Sequence, residues 1–96
     1  MVNVRYEIKP GKRNEFFEKV NEQGIITASK EEPGNFKYDY YIPLDSENAL
    51  VLLEMWVNSE AQAAHGKAEH YQKLQALKKE YVTKVEIEKY SINDIS

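Results

Sequence analysis

The chain has 96 residues, no cysteine and a formal net charge of −3 at pH 7. The lack of cysteine excludes disulfides and thiolate metal sites, and an acidic balance without a dense basic patch argues against nucleic-acid binding. We find neither an export signal nor the run of about 20 apolar residues that spans a membrane, so we expect one cytoplasmic domain, residues 1–96.

The first half of the chain predicts a strand, a helix and a second strand. Apolar and polar residues alternate over residues 2–9, and Pro10-Gly11 ends this strand. Helical periodicity follows from about Lys12 to Glu31, and Ile25 and Ile26 lie off its apolar stripe. A Pro-Gly-Asn turn ends the helix, and residues 36–42 form the next strand.

The second half predicts a strand, an interrupted helix and a last strand. The strand covers Leu50 to Val57, and Ser59 is a good N-cap for the helix that follows. This helix runs to about Lys79 with a break near Gly66, and residues 81–90 form the last strand. The order β-α-β-β-α-β predicts an α+β, ferredoxin-like fold with a four-stranded antiparallel sheet.

The two faces of this sheet differ in what is expected to cover them. We expect the helices to cover the face of Val4, Tyr6, Ile8, Val51, Leu53, Met55, Val85 and Ile87. The other face then carries apolar side chains among its charges, namely Leu50, Leu52 and Trp56. Since these need cover, we expect a homodimer with sheets packed face to face, in which Arg5 and Glu54 neutralise each other and Glu54→Lys weakens the dimer.

His65 and His70 are the only histidines of the chain. On one continuous helix, residues five apart differ by about 140°, so this pair lacks the i, i+4 spacing of metal ligands. A break at Gly66 gives each histidine its own apolar stripe, and both then point toward the sheet. They are either buried neutral imidazoles or a general base and a substrate hydrogen-bond partner. No third ligand follows at a telling spacing, so no metal site is predicted.

Aromatic residues surround this pair in the predicted fold. Trp56 ends the strand that precedes the histidines. Tyr6, Tyr38 and Tyr40 point under the helices, where they either form plain core or line a flat pocket for an aromatic ligand.

Four segments together resemble the antibiotic biosynthesis monooxygenase family. They are Lys9 to Lys12, Ser29 to Asp39, Glu54-Met55-Trp56, and His65 with His70-Tyr71. The resemblance implies a dimeric α/β barrel that oxidises a quinol, phenolic or polyketide-like aromatic substrate with O2, without cofactor or metal. It also implies functional residues: His65 and Trp56 as catalytic, and, as substrate-binding, His70, Tyr38, Tyr40, Tyr6 and Tyr71.

The family also contains other activities. Its haem-degrading members have Trp in place of His65 and a His where this chain has Gln75-Ala76, which argues against haem degradation. Isomerases of a phosphorylated signalling sugar share the His-x4-His-Tyr pattern, so the motif does not separate isomerase from oxygenase. A dimer that binds a small molecule without turnover is the third alternative.

Overall fold

The computed structural model describes residues 1–90. Its strands form one antiparallel sheet in the order β2-β3-β1-β4, which confirms the α+β ferredoxin-like fold. None of its helices is long and apolar enough to cross a membrane. The elements are β1 Val2–Ile8, α1 Arg13–Glu22, α2 Ile25–Lys30, β2 Asn35–Tyr41, β3 Ala49–Trp56, α3 Ser59–His65, α4 Glu69–Tyr81 and β4 Val82–Lys89.

The first predicted helix is two helices. Gly24 has φ 71° and separates α1 from α2, because this left-handed conformation, open to glycine, turns the chain out of the first helix axis. The turn carries Ile25 into the core, where it is fully buried, and Ile26 packs against that core. The prediction of one continuous helix, on which Ile25 and Ile26 are apolar surface that the chain's own core does not need, was therefore wrong.

The predicted faces of β3 are exchanged in the structure. Leu52 lies opposite Val4 and Leu50 opposite Tyr6, and residues opposite each other in antiparallel strands share a face. Leu50 and Leu52 are therefore buried under the helices, while Val51 is on the uncovered face. Periodicity could not determine this choice, because residues 50–53 are all apolar and either alternation fits.

The exchange also separates Arg5 from Glu54. Glu54 faces the helices and is 8% exposed. The Arg5 guanidinium lies on the other face, where it donates to Glu7 at 2.9 Å and to Asp45 at 3.2 Å. The expected neutral pair in a dimer interface, and with it the rationale for Glu54→Lys, was wrong.

The predicted break near Gly66 is confirmed, since α3 ends at His65 and α4 starts at Glu69. The N-cap of α3 is Asn58 rather than Ser59. The Asn58 backbone is extended, and its side-chain oxygen accepts the backbone N–H of Ala61 at 2.8 Å. Ser59 is already the first residue of the helix.

Gly34 fixes the distance between the start of β2 and α3. Its φ is 84°, and its carbonyl accepts the Val57 N–H at 2.7 Å. A Cβ at this position would lie 2.6 Å from Val57 and 2.8 Å from Ala61. The close approach brings the segment before β2, including Glu32, against the end of α3.

Candidate functional site

The first part of the site is a carboxylate between the two histidines. The Glu32 Oε2 atom lies 2.5 Å from Nδ1 of His65 and 2.9 Å from Nε2 of His70. The side chains of Glu32 and His70 are 14% and 17% exposed, and that of His65 is 5% exposed. We call these three residues the histidine clamp, because one oxygen atom holds both rings.

A second carboxylate lies on the other side of His65. The His65 Nε2 atom is 3.7 Å from Oε1 of Glu54, which also accepts the Trp56 indole N–H at 3.2 Å. The Trp56 ring packs on the His65 ring with centroids 4.8 Å apart. Strand alternation places Glu54 and Trp56 on the helix-facing side of β3, directly beneath the end of α3.

His65 opens onto a cavity of about 160 Å³ between the helices and the sheet. An apolar cavity of about 150 Å³ holds one benzene molecule, so this space suits one aromatic ring. Tyr38 and Tyr71 stand edge-on to His65, with centroids at 5.6 and 5.2 Å. The lining consists of Val2, Val4, Tyr6, Tyr38, Leu52, Glu54, Gln62, His65, Gly66, Tyr71, Leu74, Lys78, Ile87 and Lys89.

Burial controls the protonation of the cavity's acidic groups. It raises the pKa of the Glu54 carboxyl, and the neighbouring His65 ring opposes this rise when it is protonated. Burial also raises the pKa of the Tyr6 and Tyr38 hydroxyls, which therefore stay protonated at neutral pH. The Tyr38 hydroxyl lies beside the hydroxyls of Tyr40 and Ser29, and within residues 1–90 none of these three groups forms a hydrogen bond of normal geometry.

The clamp determines which nitrogen of His65 is free. When Nδ1–H donates to the Glu32 carboxylate, Nε2 carries the lone pair. At 3.7 Å, Nε2 is beyond hydrogen-bond distance from Glu54 and is available to a ligand. A histidine oriented by a carboxylate in this way has the geometry of a general base.

The histidine clamp also places three potential metal ligands within 4.8 Å of one another. The third ligand that the sequence did not reveal is Glu32. Its distances of 2.5 and 2.9 Å to the histidine nitrogens are hydrogen-bond distances. Ligand atoms around a tetrahedral ion with bonds of about 2.0–2.1 Å lie about 3.3 Å apart. To hold such an ion, each histidine nitrogen would therefore have to move away from Oε2 of Glu32.

Some of the residues predicted from the sequence line the cavity, and the others pack behind those that do. His65, Tyr6, Tyr38 and Tyr71 line the cavity. The others do not line it: Trp56 packs on His65, His70 contacts Glu32, and Tyr40 packs against Phe17 and Tyr38.

Three polar residues of the site were not predicted: Glu32, the helix-facing Glu54 and Lys78. Glu54 had a signal in the sequence, because it stands two residues before Trp56 and must share its face. Glu32 is 33 residues from His65 and had no local signal.

Comparisons with known proteins place the whole chain among its relatives. Residues 1–77 match the family model described as "Antibiotic biosynthesis monooxygenase". The chain is 34% identical over 77 residues to "Putative monooxygenase YcnE" of Bacillus subtilis (strain 168), which covers 80% of this chain and 79% of that protein.

Solved structures share the fold over nearly the whole chain. A "Putative antibiotic biosynthesis monooxygenase" from Nitrosomonas europaea matches with a TM-score of 0.88 and 22% identity, covering 99% of this chain and 90% of that one. Rv0793 from Mycobacterium tuberculosis matches with a TM-score of 0.81 and 26% identity, covering 99% and 96%.

Proposed function

Because the chain belongs to the antibiotic biosynthesis monooxygenase family, we propose that it oxidises a phenol, a hydroquinone or a polyketide-like aromatic compound with O2. The observation that carries the proposal is a carboxylate-held histidine opening onto a cavity of one-ring size. His65 is the general base in this proposal, and the tyrosine-lined cavity holds the ring.

The first step is the removal of a phenolic proton by Nε2 of His65. Glu32 keeps the proton of Nδ1 in place and stabilises the imidazolium that forms. A phenolate is a far better electron donor to O2 than the phenol. Tyr38 lines the cavity, and in this proposal its protonated hydroxyl donates a hydrogen bond to the developing oxyanion.

For a hydroquinone, the overall reaction balances with O2 alone. One ring C–H becomes C–OH, and the two original hydroxyls become carbonyls. One oxygen atom of O2 becomes the new hydroxyl on the ring carbon, and the other leaves as water with the two hydrogens of the original hydroxyls. The substrate supplies all four electrons, so the proposed reaction needs no other reductant.

The residues around His65 have positioning roles in this proposal. His70 donates to the oxygen that holds His65 and so fixes the Glu32 carboxylate. Trp56 supports the His65 ring from the side and binds Glu54 through its indole N–H. Tyr6 and Tyr71 line the cavity, and the half-buried Tyr40 supports Tyr38.

The test is O2 uptake with a panel of hydroquinones and naphthoquinols, for the wild type and His65→Ala. A general base contributes about 10²–10⁴-fold, so kcat should fall by that factor while the fold is kept. Added imidazole should restore part of the rate, because it fits the space that the missing ring leaves. Full activity of His65→Ala would remove its role as base, and no uptake by the wild type across the panel would refute the oxidation.

We also propose a homodimer in which the uncovered sheet faces pack together. Three apolar residues of β3, Val51, Leu53 and Met55, lie on that face and are only half-buried in one chain. Tyr41 at the end of β2 adds to this apolar strip and is 43% exposed. Covering such a strip is the usual reason for sheet-to-sheet association.

Light scattering tests this association. The wild type should give twice the 11.2 kDa mass of one chain, and Leu53→Glu should give a single chain because it places a charge in the interface. Leu44→Glu is the matched control, since Leu44 is fully exposed in the loop between β2 and β3. A wild-type mass of 11.2 kDa, or a dimer that survives Leu53→Glu, would overturn the proposed interface.

A further inference from the structure

Lys78 is the lysine of α4 that lines the cavity. Its side chain is half-buried and lines the cavity, with Nζ 5.5 Å from the centroid of the Tyr6 ring. Within residues 1–90 no carboxylate oxygen lies within 4.0 Å of this ammonium, whereas Lys30 and Lys37 both pair with Asp39. Lys78 is thus a partly desolvated cation that forms no ion pair within 4.0 Å in residues 1–90, and Glu54 acts on it from a greater distance.

Lys78 and the base line the same small cavity. The Lys78 ammonium lies over the Tyr6 ring. Burial lowers the pKa of Lys78, and the nearby Glu54 carboxyl opposes this decrease. Glu54 is also the carboxylate beside Nε2 of His65. A ligand of one-ring size in this cavity therefore has both the base and the cation beside it.

We propose that Lys78 is an anion subsite, and that the substrate is a phenol or hydroquinone that carries a carboxylate. The phenolic hydroxyl lies at His65 and the carboxylate at Lys78. A half-buried ammonium that forms no close ion pair gains more from an incoming anion than an exposed one, because part of its hydration is already lost. The substrate class rests on the proposed function, whereas the anion subsite does not.

Lys89 does not explain the same recognition. It also lines the cavity, but its side chain is exposed at the end of β4, so it has lost less of its hydration than Lys78. The contact of Lys78 with the Tyr6 ring holds its ammonium at the cavity, since a cation is attracted to an aromatic face. Lys78 is therefore the residue that distinguishes an anionic ligand from a neutral one.

The experiment compares two ligands that differ by one carboxylate, hydroquinone and 2,5-dihydroxybenzoate. Their Kd values are measured by calorimetry without O2, so that no turnover occurs. The wild type should bind 2,5-dihydroxybenzoate about tenfold more tightly or better, as expected for a charge-assisted hydrogen bond. Lys78→Met should lose the preference and bind the two ligands with equal Kd. Lys78→Arg should keep the preference.

Lys79→Met is the matched control, because Lys79 is the next residue of α4 and is exposed. It should bind both ligands as the wild type does. Equal affinities in the wild type, or a preference that survives Lys78→Met, would overturn the subsite. If Lys78 serves only as a counter-charge for Glu54, its loss shifts the pH profile of oxidation and leaves the ratio of the two Kd values unchanged, which also overturns it.

Benzoate separates this proposal from the proposed oxidation, because it has the carboxylate but no phenolic hydroxyl. Benzoate binding that depends on Lys78, with no O2 uptake on any phenol, would support the subsite and refute the oxidation. Hydroquinone oxidation without any preference for carboxylates would refute the subsite alone.

Discussion

Removal of the Glu32 carboxylate should destabilise the protein by about 2 kcal/mol. In Glu32→Ala, the Nδ1–H of His65 loses its acceptor in a place that is 5% exposed, and leaving a buried polar group unpaired costs about 1–3 kcal/mol. His70 is 17% exposed and recovers much of its lost bond from water. For a domain of this size, about 2 kcal/mol lowers Tm by about 8–16 °C.

Glu32→Gln separates charge from hydrogen bonding. A single oxygen atom of Glu32 accepts from both histidines, and the amide oxygen of Gln can take its place. The stability loss should therefore be about 1 kcal/mol, which is the difference between a charged and a neutral acceptor. The rate of oxidation should fall more than the stability, because the neutral amide stabilises the imidazolium poorly.

Urea unfolding followed by circular dichroism measures both variants, at one protein concentration because dimerisation makes stability depend on it. Glu31→Ala is the matched control, since Glu31 is exposed and makes neither contact. It should stay within about 0.5 kcal/mol of the wild type. If Glu32→Ala also stays within that range, the histidine clamp contributes nothing to folding and the reasoning is refuted.

Three further predictions follow from single residues. Gly34→Ala should cost about 2–3 kcal/mol, because it combines a left-handed φ of 84° with a Cβ 2.6 Å from Val57; urea unfolding measures the loss, and wild-type stability would contradict it. Asn58→Ala should cost about 1 kcal/mol as the N-cap of α3, whereas Ser59→Ala should cost clearly less; equal losses in thermal unfolding would contradict this. The free energy of unfolding of Glu54→Gln, relative to that of the wild type, should increase as pH rises from 4 to 8. Burial raises the folded-state pKa of Glu54, so the protonated form stabilises the fold below the unfolded-state pKa, and this contribution is lost as pH rises through the raised value. A constant difference between the two proteins from pH 4 to 8 would contradict the shift.

Much of the element order could be predicted from the sequence because it depends on local physics. Alternation over residues 2–8 and helical periodicity after Gly11 act within one element, as does the break at Gly66 between the two histidines. The exact start of α3 could not be predicted in this way, because Asn58 and Ser59 are both good N-caps. Only the backbone conformation at Asn58 decides between them.

The tertiary structure decided what depends on contacts between distant segments. The sequence left open which side of β3 faces the helices, because residues 50–53 fit either alternation. Pairing with β1 decides this by placing Leu52 opposite Val4.

The partners of the histidines depend on the same kind of contact. The sequence alone indicated that His65 and His70 turn inward. Their shared acceptor, Glu32, comes from 33 and 38 residues away, and the Lys78 ammonium reaches the cavity only after α4 packs on the sheet. A periodic pattern reports which side of an element is apolar, but the charge that meets that side is set by packing between segments far apart in the chain.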